Sequence, residues 1–370
     1  MTATRTAEAS PGAAAGTSSP DVSRETAAKP QAAATTTPVV EPASPPTADA
    51  PETGDAAATA RLPADVHRIP NLLNAVIVVA QLAAIFACFR AATVLDAPWQ
   101  LGLLCAGFAV LMVGVYSVIH EAEHGVLFSD PRVNTAAGVL TAAFFPGPFH
   151  LLRQGHIGHH LRNRSDDEAF DLWFEGESPV WKWVQWVGIL TGPFYLMVVL
   201  GNVVVLGLPF LLKRRWFAFD RPSAAFMDAL NPRYARIVQI EAAGVIALHV
   251  GVVWVMGVPV LRYLALYAAF GFLWSALQYL HHYGTERHVT RGARDVQAGW
   301  VIDRLWLNHN WHRVHHEHPT VSWVHLDRIG RAKGRAGARE FLPLVYLRMW
   351  AGPRRATDRV ANRFAGKVVR

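Results

Sequence analysis

Five histidines fall within residues 307–319, LNHNWHRVHHEHP: His309, His312, His315, His316 and His318. Three of them, His312, His315 and His316, have the spacing H-x-x-H-H. On a helix, positions three and four apart share a face, so this spacing aims three imidazoles at one point. The same spacing occurs upstream at His156, His159 and His160 in HIGHH, and His120 and His124 in HEAEH stand four apart. A lone histidine is more often a packed or surface residue than a ligand. Three clustered boxes are hard to explain by packing, because polar side chains are seldom gathered inside a fold without a task.

Imidazole suits zinc, copper, iron and nickel, so ligand type alone does not name the metal. The count narrows it. The three boxes give His120, His124, His156, His159, His160, His312, His315 and His316, and one residue of the pair His281-His282 makes nine candidates. One zinc site uses three or four protein ligands. Two metals are the simpler reading, and a redox pair facing a buried lipid substrate points to iron and dioxygen. A rival reading starts from HEAEH, which matches the zinc peptidase pattern H-E-x-x-H with Glu121 as general base. It leaves both H-x-x-H-H boxes without a role, and no aspartate follows in a later apolar segment to complete the ligand set. A histidine-rich membrane protein that binds metal without catalysis is a third reading. Glu121, Glu123, Asp166, Asp167, Asp171 and Glu317 stand near the boxes and could orient imidazole N–H groups. They could equally be solvated charges.

The elements that must carry these residues are membrane elements. Of 370 residues 52% are hydrophobic and 17% charged, the mean hydropathy is +0.18, and there are 13 tryptophans. A net charge of +7 fits loops facing anionic lipid, and no nucleic-acid motif accompanies it. Cys88 and Cys105 both lie in apolar runs and cannot make a cysteine-rich metal site or a disulfide framework. Residues 1–65 are rich in Ala, Thr, Pro and Ser and read as a disordered tail. They lack a secretory apolar core, and their acidic residues argue against a transit peptide. Residues 66–330 read as the membrane domain, and 331–370 as a basic segment on the membrane surface.

Within that domain, 72–95 and 99–119 are long enough to span and turn at Asp96-Ala97-Pro98, so the first box lies at a helix exit. Stretch 133–152 is broken by Pro146-Gly147-Pro148 and reads as in-plane or re-entrant. Stretch 184–212 is broken at Gly192-Pro193 and reads as a hairpin dipping partway in. Residues 236–256 and 260–281 form a second hairpin that ends at His281-His282. The expected fold is all-α: two transmembrane hairpins, re-entrant or in-plane helices, and a cap bearing the histidine boxes. If the boxes share a site they lie on one side, and Lys213, Arg214 and Arg215 make that side cytoplasmic. Both termini follow, in what reads as a bacterial inner membrane.

HEAEH, HIGHH and HRVHH, each at its place relative to the hairpins, resemble the membrane fatty acid desaturases and their hydroxylase relatives over about residues 70–330. HHYG at residues 281–284 is similar to that family's extra ligand segment, with His282 the closer match and His281 the fallback. It is also partly similar to the segment of alkane hydroxylases and carotenoid ketolases. The resemblance implies a histidine-bound pair of iron ions that activates dioxygen and attacks an unactivated C–H bond of a lipid or fatty acyl chain. Desaturation is the first expectation, hydroxylation or ketolation the alternative. There is no Gly-rich dinucleotide fingerprint, cysteine cluster or HPGG haem motif, so electrons are expected from a separate ferredoxin-like carrier.

Overall fold

Helix α1 (Asn71–Val94) and helix α2 (Pro98–Glu123) form the first hairpin. Pro98 sits in the first turn of α2, where its missing N–H costs nothing. The C-terminal carbonyls of α1, which have no partner within the helix, are met from elsewhere: Nη1 of Arg262 donates to the carbonyls of Ala92 (3.0 Å) and Leu95 (2.7 Å). The structure, a computed structural model, describes residues 64–369. The tail read over residues 1–65 therefore lies, but for its last two residues, outside the described residues.

Asp130 caps α3 (Pro131–Phe144) by accepting from the N–H groups of Arg132 and Val133, at 2.7 and 3.1 Å. Pro146-Gly147-Pro148 then stops the helix, and α4 (Phe149–Arg162) leaves at 100° to it. After strand β1 (Leu172–Trp173), α5 (Pro179–Thr191) and α6 (Pro193–Gly207) meet at 94°. Gly192 makes that corner with φ of 108°, and a Cβ there would lie 3.1 Å from the backbone of Phe272. Only glycine has both the dihedral freedom and the clearance. Each bent pair is long and apolar enough for one broken span or a re-entrant loop.

The short α7 (Arg221–Ala229) precedes the second hairpin, α8 (Ala235–Met256) and α9 (Val260–Leu280). Strand β2 (Val296–Gln297), α10 (Trp300–Leu305), α11 (His312–Glu317), α12 (Trp323–Ala332), β3 (Glu340–Phe341), α13 (Leu342–Met349) and β4 (Arg354–Arg355) complete the chain. The fold is thus mainly helical, with four to six candidate spans. Its strands pair as two parallel two-residue ribbons, β1 with β4 and β2 with β3, which fasten the C-terminal part to the loops that follow α4 and α9.

Helices α2 and α9 are the central pair, packed through Phe108 and Tyr267, whose ring centroids are 5.2 Å apart, and through Tyr116 and Trp274, 5.5 Å apart. The outer helix faces expose large apolar side chains, among them Leu72, Trp254 and Leu261. Such a surface suits lipid rather than water. Both α2 and α9 run out of this apolar body at histidines: His120 and His124 at the end of one, His281 and His282 at the end of the other.

Candidate metal centre

The eight histidines of the boxes and His282 fall into two groups, and among the described residues no other enters either. His120, His124, His156, His160 and His315 form the first. His159, His282, His312 and His316 form the second. Within each group one nitrogen per ring lies within 4.8 Å of the others. The second box is divided between them. On α4, His156 and His160 stand one turn apart and serve one group, while His159, offset by 100° on the helix wheel from its neighbour, serves the other.

The nitrogens meet edge to edge. In the first group Nε2 of His156 lies 2.8 Å from Nε2 of His124 and 3.1 Å from Nε2 of His160, itself 3.1 Å from Nε2 of His315. Nε2 of His120 is buried and takes no hydrogen bond. In the second group the tautomers are fixed from outside. Nδ1 of His159 lies 3.1 Å from Oε1 of Glu168, and Nδ1 of His282 lies 2.8 Å from the carbonyl of Gly292. Both partners are acceptors, so in the neutral form that ligates metal Nδ1 would carry the hydrogen and Nε2 the lone pair. Yet these two Nε2 atoms face each other at 3.2 Å, and Nε2 of His282 is 3.1 Å from Nε2 of His312. Lone pair against lone pair repels unless a cation lies between them. The donor set therefore fits metal ions.

Burial reinforces this. It pushes His124, His282, His312, His315 and His316 well below the ordinary imidazole value, with neighbouring histidines lowering them further. The rings are neutral at pH 7, the form that binds metal. Glu168 goes the other way. Burial would raise it, but Arg162 and His159 outweigh that and hold it below the usual carboxylate range.

A further trio, His281, His309 and His312, also lies within reach of one point. The rings of His281 and His312 are 4.4 Å apart and 30° from parallel. His312 is also a member of the second group, so the trio is a branch of that group and not a separate set of rings. His309 stands edge-on to His120, at 4.6 Å and 88°, and 4.9 Å from His312, bordering both groups.

A family model described as fatty acid desaturase matches residues 97–352. The chain belongs to the fatty acid desaturase family. A search of curated proteins finds no match to it.

In this desaturase-family chain the peptidase reading of HEAEH has no support. Oε2 of Glu121 accepts the N–H of Trp323 at 2.9 Å, and Oε1 lies 3.8 Å from Nδ1 of His120. The carboxylate sits behind the ring, away from the nitrogen that faces the group, where a general base would have to be. Of the other acids near the boxes, Glu123 lies 4.0 Å from Nδ1 of His156. Asp171 gathers Nη1 of Arg164, the hydroxyl of Tyr279 and the N–H of Gly284, and so ties the exit of α9 to the loop after α4. Glu317 pairs with Lys333 and Arg335. Asp166 and Asp167 bind the C-terminal segment.

Among histidines outside the nine, His150 is held by Glu241 of α8, and His318 by Lys333. His249 is an interhelical link: Nε2 donates to the carbonyl of Ala143 and Nδ1 accepts from Tyr263. Two acids that matter were missed from sequence. Glu168 orients His159. Asp295 accepts from the N–H groups of Arg313 and Val314, at 2.9 and 3.3 Å, and so fixes the start of α11 and the third box. Glu168 stood in the run Ser165-Asp166-Asp167-Glu168 with nothing to separate it from its acidic neighbours. Asp295 lies seventeen residues before its box, beyond any helical spacing.

Proposed function

We propose that the chain is a dioxygen-dependent oxidoreductase of a membrane, acting on an unactivated C–H bond of a lipid or fatty acyl chain, with desaturation as its reaction. His120, His124, His156, His160 and His315 would hold one iron ion, and His159, His282, His312 and His316 a second. The carrying observation is the gathering of these nine rings into two groups whose nitrogens lie within 4.8 Å of one another, with Nε2 of His159 and Nε2 of His282 3.2 Å apart. When bound, the irons supply the oxidising power that no side chain of the protein has.

The chain's own residues do the rest. Burial keeps His124, His282, His312, His315 and His316 neutral, and Glu168 and the Gly292 carbonyl take up Nδ1 of His159 and His282, leaving Nε2 of each turned inward. Tyr116, Phe145 and Trp274 pack together as buried rings on the membrane side of the histidines, with Tyr116 one turn before His120. These rings exclude water from that side of the histidines. Electrons come from a separate carrier, ferredoxin-like. The histidine cap and both termini are cytoplasmic in a bacterial inner membrane, with exposed Leu344, Leu347 and Trp350 of the α13 region resting on the bilayer surface.

Lipids from a host expressing the chain, compared by mass with a host lacking it, test the reading. Loss of two hydrogens from one lipid class is expected. Gain of one oxygen makes the reaction a hydroxylation, and no change under full aeration contradicts both.

A further inference from the structure

The family match ends at residue 352, and the sixteen residues 354–369 that follow are bound closely to the loop between α4 and β1. We propose that this strap is a positioning element of the second metal group, acting through Glu168 on His159; the inference rests on the two-metal reading above.

The strap holds Glu168 from both sides. Before it, the N–H of Val360 donates to Oδ1 of Asp166 (2.9 Å), the N–H of Asp166 donates to the carbonyl of Val360 (2.8 Å), and Nδ2 of Asn362 donates to Asp167 (2.9 Å). After it, the N–H groups of Arg354 and Ala356 donate to the carbonyls of Asp171 and Trp173, both at 3.0 Å. Glu168 is thus fixed between anchored neighbours, with Oε1 on His159 and Oε2 accepting from Nε of Arg162 at 2.5 Å. The loop is a run of turns, with Arg164 at φ of 59°; the N–H of Glu168 donates to the carbonyl of Ser165 at 3.1 Å and the Tyr279 hydroxyl to the carbonyl of Glu168 at 3.3 Å, and the strap adds its own bonds on either side of these.

The far end of the strap reaches α4 itself. Val369 is buried, its N–H donates to the carbonyl of Ala229, and its own carbonyl accepts from Nδ2 of Asn231 at 3.0 Å. The N–H of Asn231 in turn donates to Gln154 of α4 at 2.6 Å. The Val369 side chain approaches Gly158, which lies between His156 and His159, and a Cβ at 158 would be 3.7 Å from it and 2.4 Å from Nη1 of Arg162. Asn362, Phe364, Gly366 and Lys367 also wall a cavity of about 20 Å³ beside Arg162, whose buried Nη1 has no protein partner. That volume has room for about one water. The strap therefore separates the Arg162–Glu168–His159 chain from bulk solvent, where a carboxylate–imidazole bond is weaker.

The test uses the full chain with Val360→Pro, which removes the N–H given to Asp166, with Val360→Ala, which keeps it, and with Val369→Asp at the other end. Iron per chain and the Mössbauer spectrum are read together with helix content and turnover. The parent and Val360→Ala are expected to hold about two irons. Val360→Pro and Val369→Asp are expected to keep helix content and the first group's iron, bind the second group's iron about 10- to 100-fold more weakly, and lose turnover in step. Two irons of parent affinity in both variants would overturn the inference. So would loss of both irons together with helix content, which would make the strap a general support of the fold. A parent chain that binds fewer than two irons overturns the two-metal reading instead, and the inference with it.

Discussion

Oε1 of Glu168 lies 3.1 Å from Nδ1 of His159, on the ring edge turned away from the second group of imidazoles. A carboxylate there fixes the tautomer and makes Nε2 a better donor to a cation. Glu168→Gln keeps the size and one acceptor but removes the charge. Affinity for the second metal is expected to fall about 10- to 100-fold, read by competition with a chelator, while the first metal is held as before. Equal loss of both metals would place the effect on the fold rather than on His159.

Acid acts on the neighbouring rings. Buried His124, His282, His312, His315 and His316 lie well below the ordinary value, and burial brings His309 down to about 4. Unfolding returns each to about 6.5. Below that pH the unfolded chain binds more protons than the folded one, so stability is fully present above about pH 6.5 and falls as pH drops. Metal-free protein is expected to lose thermal stability steadily from about pH 6.5 down to about pH 4. Flat melting temperatures across that window would contradict the burial of neutral imidazoles.

Sidedness follows from α2 and α9 both ending at the histidines. Reporter fusions after residues 98 and 258 are expected on the far side of the membrane, and fusions after 170 and 300 on the cytoplasmic side. Residues 170 and 300 on opposite sides would be incompatible with the assembled groups.

The two hairpins were legible in the sequence because length and apolarity alone define a span, and glycine and proline marked both bends. The eight histidines of the boxes were legible because a spacing of three or four on a helix is a statement about direction, and His282 because HHYG is similar to the family's extra ligand segment. Their division was not. That His159 would leave His156 and His160 to join His282, His312 and His316 depends on how α4 is rotated against α9 and α11, which no local pattern contains. Glu168 and Asp295 were hidden for the same reason: each works across a tertiary contact, and a lone carboxylate carries no periodicity. His281 and His282 stood side by side, and the structure separates them by the acceptor each Nδ1 finds. For His282 it is the Gly292 carbonyl at 2.8 Å; for His281 the Arg294 carbonyl is 3.4 Å away.

The central claim is that all three boxes serve one two-metal centre, and the pair His312→Ala and Glu121→Ala tests it most directly. Both variants should be inserted in membranes and assayed for oxygen-dependent turnover and metal content. His312 belongs to the second group, whereas Glu121 is turned away from the first and bonded to the Trp323 N–H. The account predicts that the parent binds about two metals, that His312→Ala loses the second metal and all turnover, and that Glu121→Ala keeps both with turnover reduced at most about 100-fold. Zinc competes well for imidazole sites, so the oxygen dependence of the parent is measured alongside. An inactive Glu121→Ala beside an active His312→Ala, with one metal per chain and no use of oxygen, would contradict it.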